Sequence, residues 1–422
     1  MDGVNNVLGI GAGPANLSLA ALAEPCAEVA VTLLEARQVP SWHPGLLWDS
    51  SRLQVSPVKD LVSLVDPTNP HSFLNFLREE GRLYRHLVAA APYVSRKEFS
   101  QYFCWAAKRL PVHLGRAVRD VDHDGRSFVA HTDDGAHWRA RHLVLGVGQR
   151  PWIPPCARDT HSDNVWHAAD HLHRDRPMGD RNVLLVGGGQ SAAEIAADIL
   201  SGRTGLPRQF TWAGGGRGFA PVDNSPFTND WFNPRYVEFF QGLPEQQRHD
   251  LLGRQSAAAH GGISAPLLEQ LYRRLYEIDY LLPEHVDHRL LAGARLIALE
   301  RTGDVASAVL EDATTRTSQE VHADYVILAT GYRSQLPEFM APLAGRLNLA
   351  DGAYRVGKDY RIAWDGPASH HIHVQNAAGA THGVADPNLS LAAWRSALIL
   401  NSICGREVYA LKQDDITIAV DR

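Results

Sequence analysis

Two glycine-rich segments hold the residues best placed to do chemistry in this sequence. In GIGAGPAN, Gly11, Gly13 and Asn16 follow an apolar run from Val4 to Ile10 and open a helix-like stretch from Pro14 to Leu22. The first glycine permits a tight turn. The second lets the backbone approach a pyrophosphate, whose charge then faces a helix N-terminus. Glu35 lies 22 residues beyond Gly13, at the end of a second strand-like run. A carboxylate at that place accepts hydrogen bonds from ribose hydroxyls. The pattern returns in GGGQSAAE, where Gly187, Gly189 and Ala192 follow the apolar run 182–186. Gln190 and Ser191 stand at the start of its helix and are taken with the glycines as cofactor contacts. Here the second strand runs into TWAGGGRG, with no carboxylate at its tip. A carboxylate would favour a free ribose 2′-hydroxyl, whereas a neutral turn with Arg217 nearby suits a 2′-phosphate. The chemistry implied is the binding of two dinucleotides, the second of them NADPH.

Each fingerprint needs a strand, a turn and a helix to hold it, so each predicts a βαβ unit. Two later stretches read as strands returning to these sheets. Residues 142–146 lead into GVGQRPWIPP, and residues 324–328 into ATGYRSQLP. Residues 221–281 differ in kind, with Asn-, Pro- and Trp-rich loops followed by helix-like segments such as 267–280. Residues 390–404, SLAAWRSALILNSIC, read as a closing helix. Residues 253–262 and 303–317 read as polar, exposed loops. An N-terminal fingerprint completed by a C-terminal ATG-type strand assigns FAD to the first site and the nicotinamide cofactor to the inserted one. The expected fold is α/β, a two-dinucleotide flavoprotein with Rossmann-like FAD and NADPH domains and a small helical domain. FAD would occupy 1–170 with 325–422, NADPH 171–220 with 285–324, and the helical insertion 221–284.

Composition bounds the rest. The chain has 422 residues, enough for two to three domains, with 45% hydrophobic and 21% charged residues. Those values exclude a disordered chain, a collagen-like repeat and a disulfide scaffold. The net charge of −6 gives no reason to expect nucleic acid, which asks for clustered positive charge. The four cysteines, Cys26, Cys104, Cys156 and Cys404, are far apart and lack a CxxC pair. They read as reduced thiols of a cytoplasmic protein. No metal site, membrane span or secretory signal is expected. A disulfide reductase would need a redox cysteine pair beside its flavin. Without one, electrons must leave by another route, and molecular oxygen is the natural acceptor.

Beyond the glycines, longer stretches stand out: SWHPG, LQVSPVKDLVSLVDPTNPHSFLNFL, SRKEFSQYFCWAA, ATGYRS and THGVADPNLSLAAWRSA. With the two fingerprints, they give the chain a nearly full-length resemblance to the flavin-dependent lysine N6-monooxygenases and ornithine N5-monooxygenases of siderophore biosynthesis. The resemblance implies hydride transfer from NADPH to FAD, capture of O₂ as a flavin C4a-hydroperoxide, and N-hydroxylation of the substrate's terminal amine. It sets Trp42 and His43 at the flavin and Gln54 beside its ring, within reach of the peroxide. It gives Lys59 the substrate's α-carboxylate, with Asn229 on the same group. Asn388 and Ser390 fall around the reacting amine and flavin, although Ser390 also suits a helix N-cap. Thr330 and Tyr332 end a strand of the FAD domain. Homo-oligomers, often tetramers, are implied as well.

The sequence departs from the family at three places. SPVKDL replaces the usual SFLKDL, and Pro57 removes a backbone donor and fixes φ. Gly215 and Gly216 stand where lysine-type relatives carry a basic pair, with Arg217 as the remaining cation. SPFTN leans to ornithine, while residues 259–264, AHGGIS, and the C-terminal run lean to lysine. Lysine is favoured over ornithine on those last two segments, and an amino acid over a diamine such as cadaverine or putrescine because only an amino acid has a carboxylate for Lys59. The other readings are an ornithine or diamine N-hydroxylase and, in a different class, an uncoupled NADPH oxidase or non-catalytic flavin-binding protein.

Overall fold

A computed structural model describes residues 5–89, 93–215, 219–259, 261–350, 352–412 and 416–420. Residues Asn5–Ile10 form a strand paired in parallel with Val29–Glu35 on one side and His142–Leu145 on the other. Its last four residues are buried, as a parallel strand covered on both faces must be. The Pro14–Ala23 helix crosses between the first two strands, with proline in its first turn, where no backbone donor is needed. Outward from His142–Leu145 come Ile372–Val374 and Arg361–Ile362, and beyond Val29–Glu35 lies Val112–Leu114, completing a six-stranded sheet.

The second sheet has five parallel strands in the order Asp287–Ala292, Gln209–Gly214, Asn182–Val186, Tyr325–Leu328 and Val165–His167. Its central strand alternates cleanly. Val183 and Leu185 join one apolar cluster, while Leu184 and Val186 join another on the opposite face. The Gln190–Leu200 helix covers the first face through Ala193, Ile195 and Ile199. A three-stranded antiparallel sheet, Ala294–Thr302, Val305–Asp312 and Ser318–Ala323, covers the second.

Both α/β units form where the fingerprints predict them, but their limits differ. Tyr325–Leu328, expected in the first domain, is hydrogen-bonded to Asn182–Val186 in the second sheet. Val165–His167, also expected in the first, lies beside it. The strand that completes the first sheet on the C-terminal side is Ile372–Val374. Two stretches read as loops are regular. Residues 253–259 end a helix from Glu245 to Ala259, and residues 303–317 contain the Val305–Asp312 strand. Small and polar residues hid both, because their partners lie far off in sequence.

The insertion is helical but divided. Ala265–Tyr280 packs on the Gln190–Leu200 helix and buries Leu271 and Ile278 in the second unit's core. Pro234–Gly242 and Glu245–Ala259 instead pack on the C-terminal segment 379–385. There Val237 enters the core of the first unit, and a Cβ on Gly383 would come within 3.3 Å of the Phe240 ring. The closing helix runs Ala392–Cys404, preceded by a 3-10 turn at Leu389–Leu391.

Candidate active site

The first glycine turn sits at the C-terminal ends of the parallel strands, where open α/β sheets bind ligands. Gly11 has φ +90, and a Cβ there would come 2.5 Å from the Gly146 carbonyl oxygen. Gly13 faces open space, and no side chain caps the helix that follows it. Its first-turn donors are thus free for an anion. Glu35 holds its carboxylate beside the turn, accepting from the Ala12 N–H at 2.9 Å and the Arg37 N–H at 3.0 Å. These features fit a dinucleotide with its pyrophosphate at the helix and a ribose at Glu35.

Asn16 is fully buried and braces the turn from below. Its Nδ2 donates to the carbonyls of Gly11 (2.8 Å) and Ile10 (3.2 Å), and its Oδ1 accepts from Gln375 Nε2 at 2.8 Å. Gln375 is held in turn by Arg395 Nε (3.1 Å), and the Arg395 guanidinium bonds the carbonyl and carboxylate of Asp386. Asp386 also accepts from the Ala378 N–H. A buried chain of polar groups therefore runs from the turn to the segment carrying Asn388 and Ser390. Gln375, Asp386 and Arg395 escaped the sequence reading. The available signal was a charged residue inside the apolar run SLAAWRSALIL.

The second turn repeats the design. Gly187 has φ +146 and lies so close to Ala329 that a Cβ would overlap the Ala329 carbonyl. Gly189 is open and leads into an uncapped helix N-terminus. The Gln190 side chain braces the unit, accepting from the Ser264 N–H (2.8 Å) and donating to Glu194 (3.1 Å). Ser191 is partly exposed at the helix start, and Arg217 lies outside the described residues.

Aromatic and cationic residues meet between the two units. Trp42 packs edge-on against Phe103 and lies 5.4 Å from the His43 ring. Tyr332 lies 6.1 Å from His43 and 5.2 Å from His167, with its hydroxyl buried and unpartnered. Burial raises the Tyr332 pKa. The His43 ring has an accessible edge but sits deep among these groups. Loss of solvation, then the charges of Arg96 and Arg37, push its pKa down to about 4, so the ring is neutral. Arg96 lies over the Trp42 ring at 5.7 Å and pairs with Glu194 at 3.3 Å. This pair joins the first unit to the nucleotide helix of the second, and neither residue was singled out from sequence. Thr330 donates its hydroxyl to the Trp152 carbonyl, tying the ATG turn to the first unit's exit loop.

The remaining candidates are exposed or unpartnered. Gln54 is exposed just beyond the bridge between Arg52 and Ser95. The Lys59 ammonium is half-buried, and loss of solvation lowers its pKa. No ion pair satisfies it among the described residues. Neighbouring Asp60 is committed to the N–H groups of Val62, Ser63 and Phe73. Asn229 is exposed and donates Nδ2 to the carbonyls of Asn224 and Ser225. Asn388, rather than Ser390, caps the 3-10 turn, accepting from the Ser390 N–H at 2.9 Å. That leaves the Ser390 hydroxyl buried without a partner. Among the described residues, no group of three potential ligands could hold a metal, and no helix is long and apolar enough to cross a membrane.

Two dinucleotide cradles facing a shared cluster, with no cysteine pair beside them, define the class of two-dinucleotide oxidoreductases that work without a redox disulfide. Residues 3–334 match the family described as L-lysine 6-monooxygenase/L-ornithine 5-monooxygenase, and the chain belongs to that family. It is 36% identical over 408 residues to the L-lysine N6-monooxygenase of Escherichia coli, covering 96% of this chain and 95% of that one. It is 31% identical to a putrescine N-hydroxylase of Shewanella oneidensis, covering 97% and 82%. The FAD-bound cadaverine monooxygenase of desferrioxamine biosynthesis from Erwinia amylovora superposes with TM-score 0.89 at 29% identity, over 98% of each chain. Reactions on both amino acids and diamines are therefore represented among its relatives.

Proposed function

We propose that this protein N-hydroxylates the terminal amine of L-lysine, using NADPH, FAD and O₂, to supply N6-hydroxylysine for a siderophore or related hydroxamate. The observation that carries the choice of an amino acid is the Lys59 ammonium, half-buried and, among the described residues, without a carboxylate partner. A substrate α-carboxylate would supply the missing charge, and a diamine has none to offer. The resemblance sets Asn229 on the same carboxylate, but its Nδ2 already donates to two backbone carbonyls, so its Oδ1 is the atom left to meet the α-ammonium group beside that carboxylate. FAD, once bound, supplies oxygen activation. The protein's part is to bind, orient and keep water out.

In this reading Gly11, Gly13 and Glu35 hold FAD, while Gly187, Gly189 and Ser191 hold NADPH. Asn16 and Gln190 keep the two turns in shape. Trp42, neutral His43, Gln54 and Tyr332 line the flavin side. The Asn388 cap fixes Ser390 in the segment that the resemblance sets around the reacting amine and flavin. The substrate amine must be neutral to attack, although a free lysine amine titrates near ~10.4. An apolar approach lowers that value.

The test is product analysis with lysine, ornithine, cadaverine and putrescine in parallel, following NADPH, hydrogen peroxide and hydroxylamine together. N6-hydroxylysine in step with NADPH is expected. Faster hydroxylation of a diamine would replace lysine as the substrate, and peroxide matching NADPH with every substrate would mark an uncoupled oxidase.

A further inference from the structure

Lys59 ends a tight turn, and the backbone is fastened on both sides of it. On the near side, the Lys59 N–H donates to the Ser56 carbonyl at 3.0 Å. That bond closes a four-residue turn with Pro57 at its second position and exposed Val58 at its third. Proline presets the φ that the second position of such a turn needs. The proline that departs from the usual SFLKDL therefore stiffens the turn ahead of the lysine.

On the far side, Asp60 is only 4% exposed, and both of its carboxylate oxygens are occupied. One accepts from the N–H groups of Val62 (2.9 Å) and Ser63 (2.7 Å). The other accepts from the Ser63 hydroxyl (2.8 Å) and from the N–H of Phe73 (2.7 Å), the first residue of the Phe73–Glu79 helix. Leu61 is held as well. Its carbonyl accepts from Ser18 of the Pro14–Ala23 helix, and its N–H donates to the Tyr102 hydroxyl. The root of the Lys59 side chain is thus fixed, and only its flexible stem remains to be ordered. Order already present in the free protein is not lost again on binding. We propose that Pro57 and Asp60 are positioning residues for Lys59, presenting its ammonium to the substrate carboxylate. This rests on the proposed role of Lys59.

Steady-state kinetics with lysine and with cadaverine, together with FAD titration of the stripped full-length protein, test the proposal. The proteins compared are wild type, Asp60→Asn, Pro57→Ala, Lys59→Ala and each of the first two combined with the last. Asp60→Asn turns one acceptor oxygen into a donor and so breaks one side of the bonds at residue 60. It is expected to raise KM for lysine about three- to tenfold, with kcat, cadaverine KM and FAD affinity close to wild type. Pro57→Ala is expected to raise KM for lysine about two- to fivefold. Both increases vanish in the Lys59→Ala background, where no ammonium is left to position. An unchanged lysine KM in either single variant would overturn the role of that residue. An increase that persists without Lys59, or that cadaverine shares, would make the residue a general brace and overturn its role too. An Asp60→Asn protein that does not fold would do the same for Asp60, while Pro57→Ala, at an exposed turn, tests Pro57 independently. Lys59→Ala with a wild-type KM for lysine would instead overturn the substrate reading itself.

Discussion

At the scale of single residues, Lys59 decides the substrate class. If its ammonium holds a substrate carboxylate, Lys59→Ala raises KM for lysine about 10- to 100-fold, the usual weight of a charge-assisted hydrogen bond. Turnover at saturation changes far less, and cadaverine kinetics hardly move. Initial rates for both substrates, in wild type and variant, check this. Equal losses with the two would remove Lys59 from the substrate. Lys59 and Ser390 were visible in the sequence by their motifs, yet their environments were not. That Lys59 has no ion-pair partner among the described residues, and that Asn388 has taken the capping role from Ser390, depends on three-dimensional neighbours. Arg96 and Gln375 show the opposite case. Neither lies in a glycine motif, and each matters through contacts more than 90 residues away in the chain.

At the scale of elements, the closing helix and the first sheet carry the largest stakes. Arg395 is 1% exposed and bonds both the carbonyl and carboxylate of Asp386. Arg395→Ala strands a buried carboxylate and is expected to cost about 3–5 kcal/mol, read from urea unfolding. Because Gln375 loses its anchor as well, FAD retention falls in the same variant. On the outer side of the first sheet, His142 and His373 are buried, and loss of solvation pushes the pKa of each down to about 3. The unfolded chain therefore takes up protons first as pH falls. Stability present above about pH 6.5 is lost between there and about pH 3, by roughly 1.4 kcal/mol per pH unit for each imidazole. His142→Asn is expected to flatten melting temperature against pH over that window. Helices and central strands were legible because their apolar periodicity is strong. The Glu245–Ala259 helix was not, because glycine and a polar surface broke the pattern.

At the scale of the whole molecule, the two units are joined by the Arg96–Glu194 pair, whose side chains are only 15% and 9% exposed. Glu194→Gln weakens that junction. Hydrogen exchange is expected to quicken around residues 94–98 and 190–194, together with a several-fold rise in KM for NADPH. Unchanged exchange would make the pair incidental. Sequence order assigned the strand after residue 324 to the wrong sheet, since an apolar run before a glycine turn fits either one, and only pairing with Asn182–Val186 decides it. The first sheet takes strands from residues 5–145 and again from 361–374, with the second unit threaded between. During translation, the turn at Gly11 thus emerges early but waits for Gln375 and Arg395 before it can set. A premature stop between Leu328 and the closing helix would release a chain that has all five strands of the second sheet and no lasting grip on flavin.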